Sequence, residues 1–133
     1  MQDSVFTQII NGSIPCYKIY EDETVIAFLD INPMTPGHTL VVPKQQIDHL
    51  WDLDDKTYHH VMSVAMKVAK RLRKVLQPKR VGMALEGFAV PHAHVHLIPL
   101  EKGLEATTID HANRENRSPD HDALAEMAKN LAF

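Results

Sequence analysis

The chain has 133 residues, 44% of them hydrophobic, and a formal charge of −3 at pH 7, which fits one globular domain with enough apolar material for a core. So mild an acidic balance excludes general electrostatic capture of nucleic acid or of an anionic membrane surface, and any phosphate must be held by a local site. The single cysteine, Cys16, excludes an internal disulfide framework.

The polar opening MQDSVFTQIING lacks the basic flank and apolar run of a secretory signal, and no stretch is long and apolar enough to span a bilayer. With one cysteine suited to a reducing compartment, a cytoplasmic location is expected. Residues 4–10 read as a short helix with Ser4 as N-cap and Gly12 as its stop. Residues 17–20 and 24–29 are rich in strand formers, and the polar EDE between them predicts a hairpin. INPMTPGH breaks the pattern, because Pro33 and Pro36 lack backbone donors and Gly37 permits positive φ. TLVVP, residues 39–43, is then a short apolar strand of the kind found at the centre of a sheet.

From residue 54 to residue 76, Tyr58, Val61, Met62, Ala65, Val68, Ala69, Leu72, Val75 and Leu76 recur at helical spacing, with Lys67, Lys70, Arg71 and Lys74 on the other side. Asp54 is the expected N-cap, and Pro78 follows the basic last turn. Strands are predicted at residues 80–85 and 93–99. Residues 101–117 read as a long irregular arm, and Ser118 as N-cap with Pro119 at the first position opens a last helix to about residue 131. The class predicted is α+β, with a five-stranded antiparallel sheet.

The chemistry is concentrated in PHAHVHLIPL, residues 91–100, where His92, His94 and His96 alternate with Ala93, Val95 and Leu97. On a strand these imidazoles share one face, with neighbouring α-carbons roughly 6 to 7 Å apart, while the apolar set faces a core that fixes the register. Three readings are open. The histidines can be solvated surface groups. They can ligate zinc, although three in a line converge poorly on one ion and no carboxylate lies between them to support a ligand ring. Or they can act on phosphorus, a neutral central imidazole attacking while its neighbours hold the charge that develops on the phosphate. The third reading makes most use of the pattern.

HAHVHLIP resembles the signature of the histidine-triad (HIT) family, and the likeness extends to residues 9–44, which include TPGH and VVPK. It covers most of residues 4–100. The resemblance implies a single HIT domain over residues 1–133, with its core in 4–100 and an arm and helix in 101–133. It also implies two-fold homodimers joined through the long helix and a strand.

Membership further implies a metal-independent nucleotide hydrolase or nucleotidyl transferase, without cofactor, acting at the α-phosphate of nucleoside phosphoramidates through a covalent nucleotidyl-histidine. Hydrolysis of dinucleoside polyphosphates, or nucleotide binding with little turnover, are the alternatives. By position His94 is the nucleophile, the carbonyl of His92 orients its ring, His96 contacts phosphate or leaving group, and His38 supports the cluster. Asp30 matches the acceptor of the ribose hydroxyls, against the local alternative of an Asx turn. Ile31, Phe28, Phe6 and Ile10 are candidates for the base pocket. The ligand class is a small nucleotide of the AMP or GMP kind, purine preference coming from the resemblance alone.

Two departures from the family pattern stand out. Many relatives carry a glycine-glutamine-serine or threonine run before the triad, where this chain has EGFAVPH. Phe88 and Ala89 offer no side-chain hydrogen bonds, which leaves backbone N–H groups of residues 87–89, Ala89 among them, to meet the phosphate. Some bacterial relatives hold a structural zinc through a cysteine pair and a histidine. This chain has no such pair, and Gln46 stands at the histidine position, so no structural metal is expected. His49, His59, His60, His111 and His121 are taken as surface residues.

Overall fold

The computed structural model describes residues 2–102 and 118–133. A short helix, α1 (Val5–Ile10), starts at Ser4, whose hydroxyl accepts the Thr7 N–H at 3.0 Å. Five strands follow: β1 (Lys18–Glu21), β2 (Val25–Leu29), β3 (Thr39–Pro43), β4 (Arg80–Ala84) and β5 (Val95–Leu100). They form one antiparallel sheet in the order β1-β2-β3-β5-β4. Asp22 closes the first hairpin, its carboxylate accepting the N–H groups of Thr24 and Val25 at 2.8 Å each. The predicted α+β class and sheet are those found.

β2 and β3 are buried at every position, and the alternation of side chains explains why. Val25, Ala27, Leu29 and Val41 pack on Val61, Val64, Ala65, Val68 and Leu72 of the long helix α2 (Asp55–Leu76). Ile26, Phe28, Leu40 and Val42 face the other way, beneath Phe6 of α1. Each such fully buried side chain contributes about 1.5 to 3 kcal/mol relative to exposure. α2 is capped as its sequence predicts, Asp54 accepting the Thr57 N–H at 2.8 Å. It ends at Gln77, which adopts the left-handed conformation (φ 52°) before Pro78.

Three elements differ from expectation. The strand predicted from residue 93 begins at Val95, because its neighbour runs out of donors. The register pairs Val41 with Val95 and Thr39 with Leu97, so Pro43, with no N–H, stands where residue 93 would need a partner. The Ala93 N–H turns instead to the carbonyl of Ile47 at 2.6 Å. His92 and His94 therefore precede the strand rather than continue a straight row. The last helix, α3 (His121–Leu131), starts at Asp120 and not at Ser118, since the Asp120 carboxylate reaches the Ala123 N–H at 3.0 Å and suits the positive helix end. A single 3₁₀ turn, Leu50–Asp52, precedes α2 and has no counterpart in the sequence reading. Most of the irregular arm expected at 101–117, together with His111, lies outside the described residues.

Candidate active site

The segment leading into β5, the loop between β2 and β3, and α1 converge on one cavity of about 230 Å³. Its walls include Phe6 and Ile9 of α1, Phe28 and Leu40 of the sheet, Asp30 and Ile31 of the loop, and Ala89, His94 and His96. The cavity is mostly apolar, with Asp30, Asn32, His94 and His96 among its lining residues, as a site for a flat base joined to a polar tail would be.

Hydrogen bonds settle the protons on the rings. The backbone carbonyl of His92 accepts from Nδ1 of His94 at 2.7 Å. A carbonyl only accepts, so His94 carries its proton on Nδ1 and keeps the lone pair on Nε2. His92 is tied the opposite way, Nε2–H donating to the carbonyl of Pro43 at 2.8 Å while Nδ1 faces the Ser4 hydroxyl at 2.7 Å. Its side chain is fully buried, and burial pushes its pKa below the ordinary histidine value, against the Pro43 carbonyl and with the help of neighbouring His94.

His38 continues the pattern from the β2–β3 loop. The Met34 N–H donates to His38 Nδ1 at 3.1 Å, so Nε2 of His38 bears the proton and donates to Nδ1 of His96 at 2.9 Å. The neutral His96 ring then holds its own proton on Nε2. The edge of Phe6 abuts His94, ring centroids 4.9 Å apart, and fixes the ring from the side of α1.

Asp30 lies at the cavity wall. Its Oδ1 accepts the Asn32 N–H at 2.8 Å and its Oδ2 is 3.7 Å from His38 Nε2. The local Asx turn weighed at the sequence level is thus present, and the residue also faces the cavity. Asp30, His38 and His96 bring one ligand atom each within 4.8 Å of one another, a grouping able to hold a cation at the expense of the bond between the two rings.

Phe6, Phe28 and Ile31 line the cavity, Ile31 at its rim and 45% exposed. Ile10 does not. It packs with Ile9 against the cluster beneath β2 and β3, while Ile9 also lines the cavity. From α1 the cavity is lined by Val5, Phe6 and Ile9. Ala89 lies at the cavity while Phe88 projects into solvent, 93% exposed.

The sequence reading missed Cys16, whose half-buried thiol lines the cavity and is pushed up in pKa mainly by burial. It also missed the support given by Ser4 beyond its cap. Gln46 holds α1 in place, its Oε1 accepting from the Ser4 N–H at 2.9 Å and from the Thr7 hydroxyl, its Nε2 donating to the Gln2 carbonyl at 2.9 Å. His49, His59 and His121 are exposed as expected, but His60 is half-buried and donates to Asp22 at 2.6 Å.

A buried histidine with a fixed tautomer at the wall of an apolar cavity, beside further buried histidines, is the arrangement expected of a histidine-triad site. The HIT domain profile matches residues 11–103, and the chain belongs to the HIT family. It is 42% identical over 106 residues to a HIT-like protein of Borreliella burgdorferi, covering 74% of this chain and 76% of that one. It is 36% identical over 99 residues to the adenosine 5'-monophosphoramidase hnt1 of Schizosaccharomyces pombe, covering 71% and 72%. The crystal structure of a Hit-like protein from Bartonella henselae superposes with a TM-score of 0.80 at 34% identity, covering 97% of this chain and 94% of that one.

Proposed function

We propose that the chain hydrolyses nucleoside phosphoramidates at the α-phosphorus through a covalent intermediate on His94. The observation that carries this reading is the 2.7 Å bond from His94 Nδ1 to the His92 carbonyl, which aims the Nε2 lone pair away from the backbone in a ring that lines the cavity. His94 Nε2 attacks phosphorus, the P–N bond breaks, and the leaving nitrogen departs as an amine after taking up a proton from solvent. His96, with its proton on Nε2, supplies hydrogen bonding to phosphate or leaving group. Water then attacks phosphorus, the N–P bond to His94 breaks, and the nucleoside monophosphate leaves.

Asp30 takes the ribose hydroxyls, while Phe6, Ile9, Phe28 and Ile31 sandwich a purine and Ala89 contributes backbone at the phosphate. No metal takes part. The single cysteine agrees with a cytoplasmic setting, and no described helix is long and apolar enough to cross a membrane. A homodimer joined through α2 and the outer strand β4 is supported by the exposure of Met66 on α2, of Met83 on β4 and of Leu85 just after it. Light scattering across concentrations measures it, and a monomer throughout would refute it.

The deciding experiment is rapid-quench incubation with radiolabelled adenosine 5'-phosphoramidate. Released AMP together with AMP bonded to His94 supports the reading. Tight AMP binding with neither turnover nor label would overturn it in favour of a binding protein.

A further inference from the structure

The histidine cluster rests on a chain of hydrogen bonds that begins outside the cavity. Gln46, in the segment between β3 and α2, is fixed in one orientation because its Nε2 donates to the Gln2 carbonyl, and this leaves Oε1 to accept from both the Ser4 N–H and the Thr7 hydroxyl. With the Thr7 proton committed to Gln46, Thr7 Oγ1 is left as an acceptor. The Ser4 hydroxyl, which itself accepts the Thr7 N–H, therefore has two places for its proton: His92 Nδ1 at 2.7 Å and Thr7 Oγ1 at 3.3 Å. The shorter contact prevails. His92 is held as the Nε2–H tautomer between Ser4 and Pro43, and its own carbonyl holds the proton of His94.

We propose that Ser4 and Gln46 are positioning residues for the reaction at His94, acting through His92. The inference rests on the phosphoramidase reading for its kinetic consequence, and its structural content is separate: the Pro43 carbonyl fixes the proton of His92 on Nε2, and the Ser4 hydroxyl at the start of α1 holds the Nδ1 lone pair. His92 is fully buried and packs edge to face with Phe6, ring centroids 5.7 Å apart. Without the serine proton, a buried ring nitrogen loses its donor, and the imidazole gains by turning towards the Thr7 hydroxyl, 3.5 Å away. That turn moves the peptide whose carbonyl orients the nucleophile, 2.7 Å away. Gln46 enters one step earlier, because without it the Thr7 hydroxyl is released to compete for His92, 3.5 Å from Thr7 Oγ1.

The test uses the full chain in three forms, Ser4→Ala, Ser4→Thr and Gln46→Leu, with thermal melts to confirm folding. Long-range ¹H–¹⁵N spectra of the imidazoles report the tautomers, and steady-state rates with adenosine 5'-phosphoramidate report the kinetics. In the wild type His92 is expected wholly as the Nε2–H form and His94 as the Nδ1–H form. Ser4→Ala should leave His92 in the Nε2–H form, move its Nδ1 resonance downfield as that nitrogen loses its donor, and lower kcat about tenfold with KM within twofold, since no ligand contact is lost. Ser4→Thr, which keeps the hydroxyl, should restore both. Gln46→Leu, which leaves the serine cap intact, should reproduce the kcat loss more weakly.

An unchanged His92 Nδ1 resonance in a folded Ser4→Ala protein would overturn the inference, as would an equal loss of kcat in Ser4→Thr. A wild type without turnover would defeat the phosphoramidase reading alone, because the change at His92 Nδ1 in Ser4→Ala would still be read directly.

Discussion

His38 Nε2 lies 2.9 Å from His96 Nδ1 inside the protein, and the Met34 N–H on the far side of the His38 ring leaves one direction for the proton between them. The loop residue is thereby a donor, and the strand residue keeps its own proton for the substrate side. His38→Ala removes the donor and lets His96 sample both tautomers. A fixed hydrogen-bond donor aimed at developing charge contributes about 10²- to 10³-fold. Losing only its fixed placement should cost part of that, about tenfold in kcat, with KM for the nucleotide changed less. Steady-state kinetics on the folded variant measure it, and an unaltered kcat would show that His96 needs no fixed tautomer.

The nucleophile itself allows a sharper expectation. His94→Ala removes the only nitrogen assigned to attack phosphorus while leaving the apolar walls and Asp30 in place. Turnover should fall by at least about 10³-fold, as for loss of a covalent catalyst. Nucleotide affinity measured by calorimetry should stay within a few-fold of wild type. Turnover at the wild-type rate would remove His94 from the mechanism.

Asp30 both closes a turn and faces the cavity, so the informative change is Asp30→Asn, whose side-chain oxygen can still accept the Asn32 N–H. What it removes is the negative charge proposed to meet the ribose. Affinity for AMP should weaken by about 1 to 3 kcal/mol, the range for hydrogen bonds to a charged group and its loss. Affinity for the 2'-deoxy analogue should fall less, so that the two ligands converge. Equal affinities in the wild type would argue against any ribose contact at this residue.

The sheet, the long helix and the histidine cluster were legible in the sequence because each is written in local terms. Asp54 and its apolar spacing specify α2, and the alternation after Pro91 marks β5 and its rings. What escaped was set by pairing across the fold. Pro43 decides that β5 begins at Val95, a fact about a strand about fifty residues earlier in the chain. Gln46 and Ser4, 42 positions apart, meet only once α1 is docked on the sheet. That Ile9 and not Ile10 meets the cavity depends on how α1 docks on the sheet, which local sequence does not state.

Gly37 precedes His38 with φ at +95°, and a Cβ built there would lie 2.5 Å from Leu76 Cδ1 and 3.2 Å from Pro99 Cγ. Gly37→Ala therefore meets both a left-handed backbone penalty and a clash with the end of α2. Together these should destabilise the fold by about 1 to 3 kcal/mol, with activity reduced because the loop carries His38. Chemical denaturation compared with wild type measures the loss. A variant of wild-type stability would mean that the Leu76 side chain gives way without cost.

Asp22 joins the β1–β2 hairpin to α2. Partial burial alone would push its carboxyl up in pKa, but hydrogen bonds from Tyr20 Oη, the Thr24 N–H, His60 and the Val25 N–H together hold it well below the usual carboxylate range. A folded pKa below the unfolded value means that the unfolded chain binds the proton more readily. The stabilisation from Asp22 is then complete above the unfolded carboxylate pKa of about 3.9 and is lost as the pH falls below it, towards the folded value. Asp22→Asn removes this dependence while keeping an acceptor for the turn. At neutral pH the variant should be less stable than wild type, and the gap should narrow steadily as urea unfolding is repeated from pH 5 down to pH 3. A gap that stayed constant over that range would show that the ionised carboxylate contributes nothing, and that Tyr20 and His60 are held by packing alone.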